Sequence, residues 1–144
     1  MTPLVLIPVE YAALNARQKE NYNYQKIAGV LAEYGFVTHR LSDDWNGADF
    51  IAQHLDGIRF LKVQLKPRLC FQKKYLKQDI YIAFPVPGGW YLYPHDALFD
   101  VLSQQTNIPK TDSWATGGAY SFPKLSASIR QTLAPYFIPD DAKA

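Results

Sequence analysis

The chain has 144 residues, 48% of them hydrophobic, which is enough for one domain with a core and too few for two comfortable ones. Fifteen Lys and Arg against thirteen Asp and Glu leave a net charge of +2, a balance that neither demands nor excludes a polyanionic partner. A lone cysteine, Cys70, excludes an internal disulfide; the longest apolar run, Leu4 to Val9, is broken by Pro8 and falls far short of the ~20 residues of a membrane-spanning helix; and Met1 leads into Thr-Pro with no basic stretch or small-residue cleavage site, so an untagged, soluble, cytoplasmic protein without a membrane span is expected.

From Leu14 to Tyr34, apolar residues recur at Tyr24, Ile27, Val30, Leu31 and Tyr34, and this spacing of three and four predicts an amphipathic helix ended by Gly35. Phe36 to Leu41 alternates as a strand does, and Ser42-Asp43-Asp44-Trp45-Asn46-Gly47 reads as a turn. A strand from Asp49 to His54 follows. Asp56-Gly57 is the strongest hairpin signal in the chain, and Ile58 to Lys66 after it carries the alternation of a paired, antiparallel strand. Pro67 cannot donate to a ladder and should end it. Beyond the basic stretch Arg68 to Lys77 come a strand from Ile80 to Pro85, a hairpin turn at Pro87-Gly88-Gly89 and a strand from Trp90 to Tyr93. Pro94-His95-Asp96 opens a helix to about Gln104 with Leu98, Val101 and Leu102 as its stripe. Residues Thr106 to Phe122, rich in Gly, Ser, Thr and Pro, read as a long ordered loop before a final helix from about Leu125 to Leu133 and a polar tail from Asp140 to Ala144. No repeat or low-complexity block interrupts the single domain expected over residues 1–144.

The chemistry-bearing constellation lies on the expected hairpin. Side chains alternate along a strand, so Gln64 and Lys66 share a face, and Asp49, fifteen positions before Gln64, is at the right distance for a strand, a turn and a returning strand. One carboxylate, one neutral oxygen donor and one ammonium then converge. A hard cation such as Mg²⁺ takes oxygen ligands, keeps several waters and needs only one or two protein ligands beside a substrate phosphate, and the Leu65 carbonyl at the strand end is a natural extra ligand. Lys66 is placed to orient or deprotonate the attacking water, or to offset charge on the phosphate.

Gly47-Ala48-Asp49-Phe50-Ile51-Ala52, a Gly-bearing hairpin, and then Leu61-Lys62-Val63-Gln64-Leu65-Lys66 together resemble the core of the PD-(D/E)XK nuclease superfamily, in which an acidic residue starts one strand and Glu-x-Lys or Gln-x-Lys lies on the next. The resemblance spans roughly Leu14 to Leu102 by order of elements and is nearest to the variant with Gln in place of Glu, found among restriction-like and homing-type endonucleases and Holliday-junction-like resolvases. It implies a restriction-endonuclease-like α/β (α+β) fold, a helix and then a mixed central sheet of four to five strands flanked by helices. It implies metal-dependent hydrolysis of DNA phosphodiester bonds with Mg²⁺ or Mn²⁺, Asp49, Gln64 and the Leu65 carbonyl on the metal and Lys66 at the water, in a homodimer where two strands are cut. Ala48 stands where the pattern has Pro, a mild backbone change. Gln64 leaves the metal one charge short. Glu20, on the face of the first helix expected to be buried, is the compensating carboxylate in this reading, with Asn21 and Gln25 on the neighbouring face and Asp43 and Asp44 in the preceding loop as alternatives.

Each residue also has a plainer role open to it: Asp49 as a turn former, Gln64 and Lys66 as solvent-facing strand residues, and Glu20 as a favourable charge near a helix start. Lys66, Arg68, Lys73, Lys74 and Lys77 form the densest basic cluster, with Phe71 and Tyr75 between them; the nucleic-acid reading puts backbone phosphates on the cations, with the two aromatics stacked on bases or packed under the cluster, and a solvated loop is the alternative. His95, after Pro94 at a helix start, is expected to be structural, and His39, His54, His95 and Cys70 have no zinc spacing. Gly117-Gly118 lacks the Lys-Ser or Lys-Thr ending of a phosphate loop, and Trp114 and Tyr120 are expected to pack that segment onto the core. Two other functions compete with a DNA endonuclease: a nucleic-acid-binding module of the same fold that cuts weakly or not at all, and a protein-interaction domain.

Overall fold

The structure, a computed structural model, describes residues 2–45 and 47–141, with the side chains of 43–45 left aside. Helix α1 (Ala16–Ala32) starts at a capping box in which the Asn15 side chain accepts from the Gln18 N–H and the Gln18 side chain accepts from the Asn15 N–H. Ile27, Val30 and Leu31 are its buried stripe. The chain leaves the helix at Gly35, where φ is +84° and a Cβ would stand 2.9 Å from the His54 imidazole.

Strands β1 (Phe36–Trp45), β2 (Ala48–His54) and β3 (Phe60–Leu65) form an antiparallel meander with Arg40 opposite Phe50 and Phe50 opposite Val63. Asp56 fixes the β2–β3 turn. Its carboxylate accepts from the backbone N–H groups of Ile58 and Arg59 and from the Arg59 guanidinium, and these bonds hold the acid well below its ordinary range. After a short strand, β4 (Cys70–Gln72), and a 3-10 turn at Lys73–Tyr75, strand β5 (Ile80–Val86) returns parallel to β3. Strand β6 (Gly89–Pro94) makes a hairpin with β5 and runs into helix α2 (His95–Gln105). Helix α3 (Asp112–Ala115), strand β7 (Ala119–Ser121), helix α4 (Ala127–Leu133) and strand β8 (Phe137–Pro139) complete the chain.

The main sheet has the order β1-β2-β3-β5-β6-β8, mixed because β3 and β5 alone run parallel, and β4 pairs with β7 in a small second sheet. Its helix-flanked α+β architecture is the one expected. Ile27, Val30 and Leu31 of α1 pack with Phe50, Ala52, Val63, Ala83 and Trp90 in one core layer. Ile80, Ile82, Phe84 and Tyr93 form the other with Phe71, Leu98, Leu102 and Leu133. Tyr93 fastens β4 to β6: its hydroxyl donates to the Cys70 carbonyl at 2.7 Å and stands 3.3 Å from the Cys70 N–H.

Several expectations need correction. The sheet has six strands rather than four to five, because three residues at Phe137–Pro139 pair with β6. The turn expected from Ser42 is strand as far as Trp45, with the β1–β2 register irregular between Arg40 and Trp45. The segment expected as loop from Thr106 to Phe122 contains α3 and β7, though Trp114 does pack into the core as expected. Among the described residues no helix is long and apolar enough to cross a membrane.

Candidate active site

The geometry of the site follows from how β3 is shared between two neighbours. Lys66 donates its N–H to Ala83 of β5, so strand alternation turns the N–H and C=O of Leu65 the other way, toward β2. The paired register of β2 and β3 begins at Phe50 and Val63, and at the level of Leu65 a side chain takes the place of a backbone partner: Asp49 Oδ2 accepts the Leu65 N–H at 2.8 Å. One further step of the same register sets Asp49 beside Gln64. The Gln64 side-chain amide lies 3.4 Å from the Leu65 carbonyl. Asp49, Gln64 and the Leu65 peptide are thus brought together, all three residues half-buried.

Asp49 and Leu65 open onto a cleft of about 1170 Å³ between α1 and the β1–β2 side of the sheet. The first turns of α1 form its far wall, including Arg17, Glu20 and Asn21. Glu20 is exposed rather than buried, contrary to the expectation for its helix face, because the helix is held by Ile27, Val30 and Leu31 further along while its first turns overhang the cleft. Asn21 accepts from the Arg40 guanidinium at 2.7 Å, and that guanidinium lies 4.9 Å from the Tyr24 ring centroid. Gln25 is exposed, and the side chains of Asp43 and Asp44, together with Asn46, lie outside the described residues. Arg17 and Arg40 were not singled out from the sequence: one sits in a helical first turn and the other on β1, and only the fold puts both on the cleft that Asp49 lines.

Oxygen donors, and no sulfur or imidazole, come from Asp49, Leu65 and Glu20 on this cleft, the chemistry that suits a hard divalent cation. Among the described residues no group of three or more His, Cys, Asp and Glu side chains is placed to hold a metal ion. Asp49 and Glu20 are carboxylates on the lining of this cleft, donors of the kind a hard cation takes.

The basic cluster disperses. The Lys66 and Lys74 ammoniums lie 5.5 and 5.3 Å from the centroid of the Tyr75 ring. Tyr75 itself is 2% exposed, so of the two roles expected for it stacking on bases is corrected and packing under the cluster is found: its ring lies beneath the two lysines and against Gly47, where φ is +86° and a Cβ would come within 2.9 Å of it. Lys73 turns to the Trp114 ring and the Ala115 carbonyl. Lys77 is exposed at a φ of +63°, its N–H donating to Asp96. Arg68 lies at a second cleft, with Lys124 and Arg130.

His95 is structural in this fold. It is fully buried, and its Nε2 receives the Gln72 N–H at 3.1 Å while Nδ1 stands 2.8 Å from Asp96 Oδ1. A backbone N–H can only donate, so Nε2 is the bare nitrogen and Nδ1 carries the proton given to Asp96. Burial lowers the imidazole pKa, opposed by Asp96.

No protein-family model matches this chain, and no curated protein matches it. Among solved structures it is similar to the Holliday junction resolvase Hjc of Archaeoglobus fulgidus, an archaeal hyperthermophile, at 18% identity and a TM-score of 0.44, over 53% of this chain and 72% of that one.

Proposed function

We propose that the chain is a restriction-endonuclease-like phosphodiesterase that hydrolyses DNA with Mg²⁺ or Mn²⁺ at the cleft between α1 and the β2–β3 hairpin. The observation that carries this reading is the Asp49 clasp on the Leu65 N–H, which fixes a carboxylate on a cleft that Glu20 and Arg17 of α1 and Arg40 of β1 also line. Asp49, Gln64 and the Leu65 carbonyl would hold the ion, with Glu20 as the added carboxylate. Bound there, the ion would lower the pKa of water and polarise the phosphate. The chain's own residues supply the rest: the Leu65 bond orients Asp49, Arg17 and Arg40 offset phosphate charge, and Lys66, whose ammonium rests over the Tyr75 ring, would swing on its flexible stem to the strand end to align the attacking water or balance the developing negative charge.

A second reading, a binding module of the same fold that cuts weakly, is favoured by the neutral Gln64 and by the lack of three grouped His, Cys, Asp or Glu ligands among the described residues. Incubation of supercoiled, linear, branched and single-stranded DNA with Mg²⁺ or Mn²⁺ separates the two. Asp49→Ala and Lys66→Ala are each expected to lower cleavage by on the order of 10²–10³-fold. Equal cutting by the variants sinks the site, and salt-sensitive binding without cutting selects the second reading.

A further inference from the structure

The strongest feature not used by this reading is the cleft of about 400 Å³ where the β3–β4 connection meets the approach to α4. Arg68 of the β3–β4 connection lines it with Lys124 before α4 and Arg130 within α4, and among the described residues no carboxylate does. All three cations are exposed, and none forms an ion pair among the described residues. The floor is stiff and apolar: Phe84 and Phe122 are 2% and 8% exposed, and Pro67, Pro85 and Pro123 restrict the backbone around it. Unpaired cations over a low-dielectric floor, with no acid to neutralise them, focus a positive potential into the cleft.

We propose that this cleft is a second phosphate-holding subsite, which takes the nucleic-acid backbone as it leads away from the bond at Asp49. The proposal rests on the phosphodiesterase reading and gives it a direction along the substrate. Continuity of the chain supports it: Lys66, Pro67 and Arg68 are consecutive, so the Arg68 Cα lies within about 7.6 Å of the Lys66 Cα. A strand carrying a phosphate every ~3.4 Å of duplex axis can engage both at once. The Arg68 and Arg130 guanidiniums suit paired hydrogen bonds to phosphate oxygens, and Lys124 adds a point charge. Such contacts fix register without reading bases.

The test is binding of a short fluorescein-labelled duplex DNA by anisotropy, without divalent cation and across a salt series, for wild type, Lys124→Ala/Arg130→Ala and Lys124→Glu/Arg130→Glu, each confirmed as folded by thermal melting. The alanine pair is expected to flatten the slope of log affinity against log salt by about 1.8, at ~0.9 for each lost phosphate contact. The glutamate pair should bind more weakly still. If wild type cuts DNA and the two variants bind it as wild type does, the subsite is overturned and the phosphodiesterase reading stands. If wild type binds with this dependence and never cuts, the subsite stands and catalysis fails. No binding by wild type overturns both, and displacement of DNA by polyglutamate at equal charge concentration would reassign the cleft to an acidic protein.

Discussion

Two clusters of polar groups sit on the two sides of the central sheet, and they differ in what surrounds them. The His95 cluster is closed: the imidazole is fully buried, bonds Gln72 and Asp96, and Asp96 in turn receives the Lys77 N–H, so one side chain ties β4, the strained loop after it and the start of α2 together. The Asp49 cluster is also anchored to backbone, but it lines a cleft and is only half-buried. Closed clusters act through stability, and open ones can act on something else as well.

That contrast predicts unequal costs. His95→Ala should be the most damaging change, because it opens a cavity and leaves the half-buried Gln72 N–H without its acceptor; a loss of about 3 kcal/mol is expected by urea unfolding. A loss under about 1 kcal/mol would show that β4 and α2 do not depend on this tie. Asp49→Ala should cost less, about 1–2 kcal/mol, since the orphaned Leu65 N–H lies beside a cleft that water can enter. Asp49→Asn keeps an acceptor for that N–H and should restore most of the stability while leaving cleavage impaired; recovery of both together would make the carboxylate's charge irrelevant.

The smallest effect is one of pH. Burial holds the His95 pKa below its unfolded value of about 6.5, so below that pH the unfolded chain binds more protons than the folded one. This contribution to stability is complete above pH ~6.5 and is lost as pH falls toward the folded pKa. Geometry opposes the charged form as well, since a proton on Nε2 would face the Gln72 N–H. Denaturant midpoints measured between neutral pH and mild acid should fall more steeply for wild type than for His95→Gln, and parallel curves would remove His95 as the sensor.

How much of this was legible in the sequence depended on range. The α1 stripe, the Asp56-Gly57 turn and the strands around it are local patterns, and the fold keeps them, so the approach of Asp49 to the end of β3 could be reasoned from the hairpin, whereas the Lys66 ammonium, which period two was expected to bring to Asp49, rests over the Tyr75 ring. Strand β4 could not: it is three residues long, and Cys70 pairs with Ser121 far down the chain. Burial of Tyr75 was hidden for the same reason, since its cover comes from Gly47 and His95 on other elements. Arg17 and Arg40 on one cleft, and Lys124 and Arg130 on the other, carry no local mark that separates them from ordinary surface cations.

The bond from Leu65 to Asp49 also bears on how this chain would change over generations. Because the carboxylate stands in for a missing rung of the β2–β3 ladder, selection for folding alone protects it. Gln64 and Lys66 hold no such rung with their side chains, and drift can reach them first. In a lineage losing its chemistry, Asp49 would outlast its partners, and the residues at positions 64 and 66, rather than the acid, would record whether the site still works.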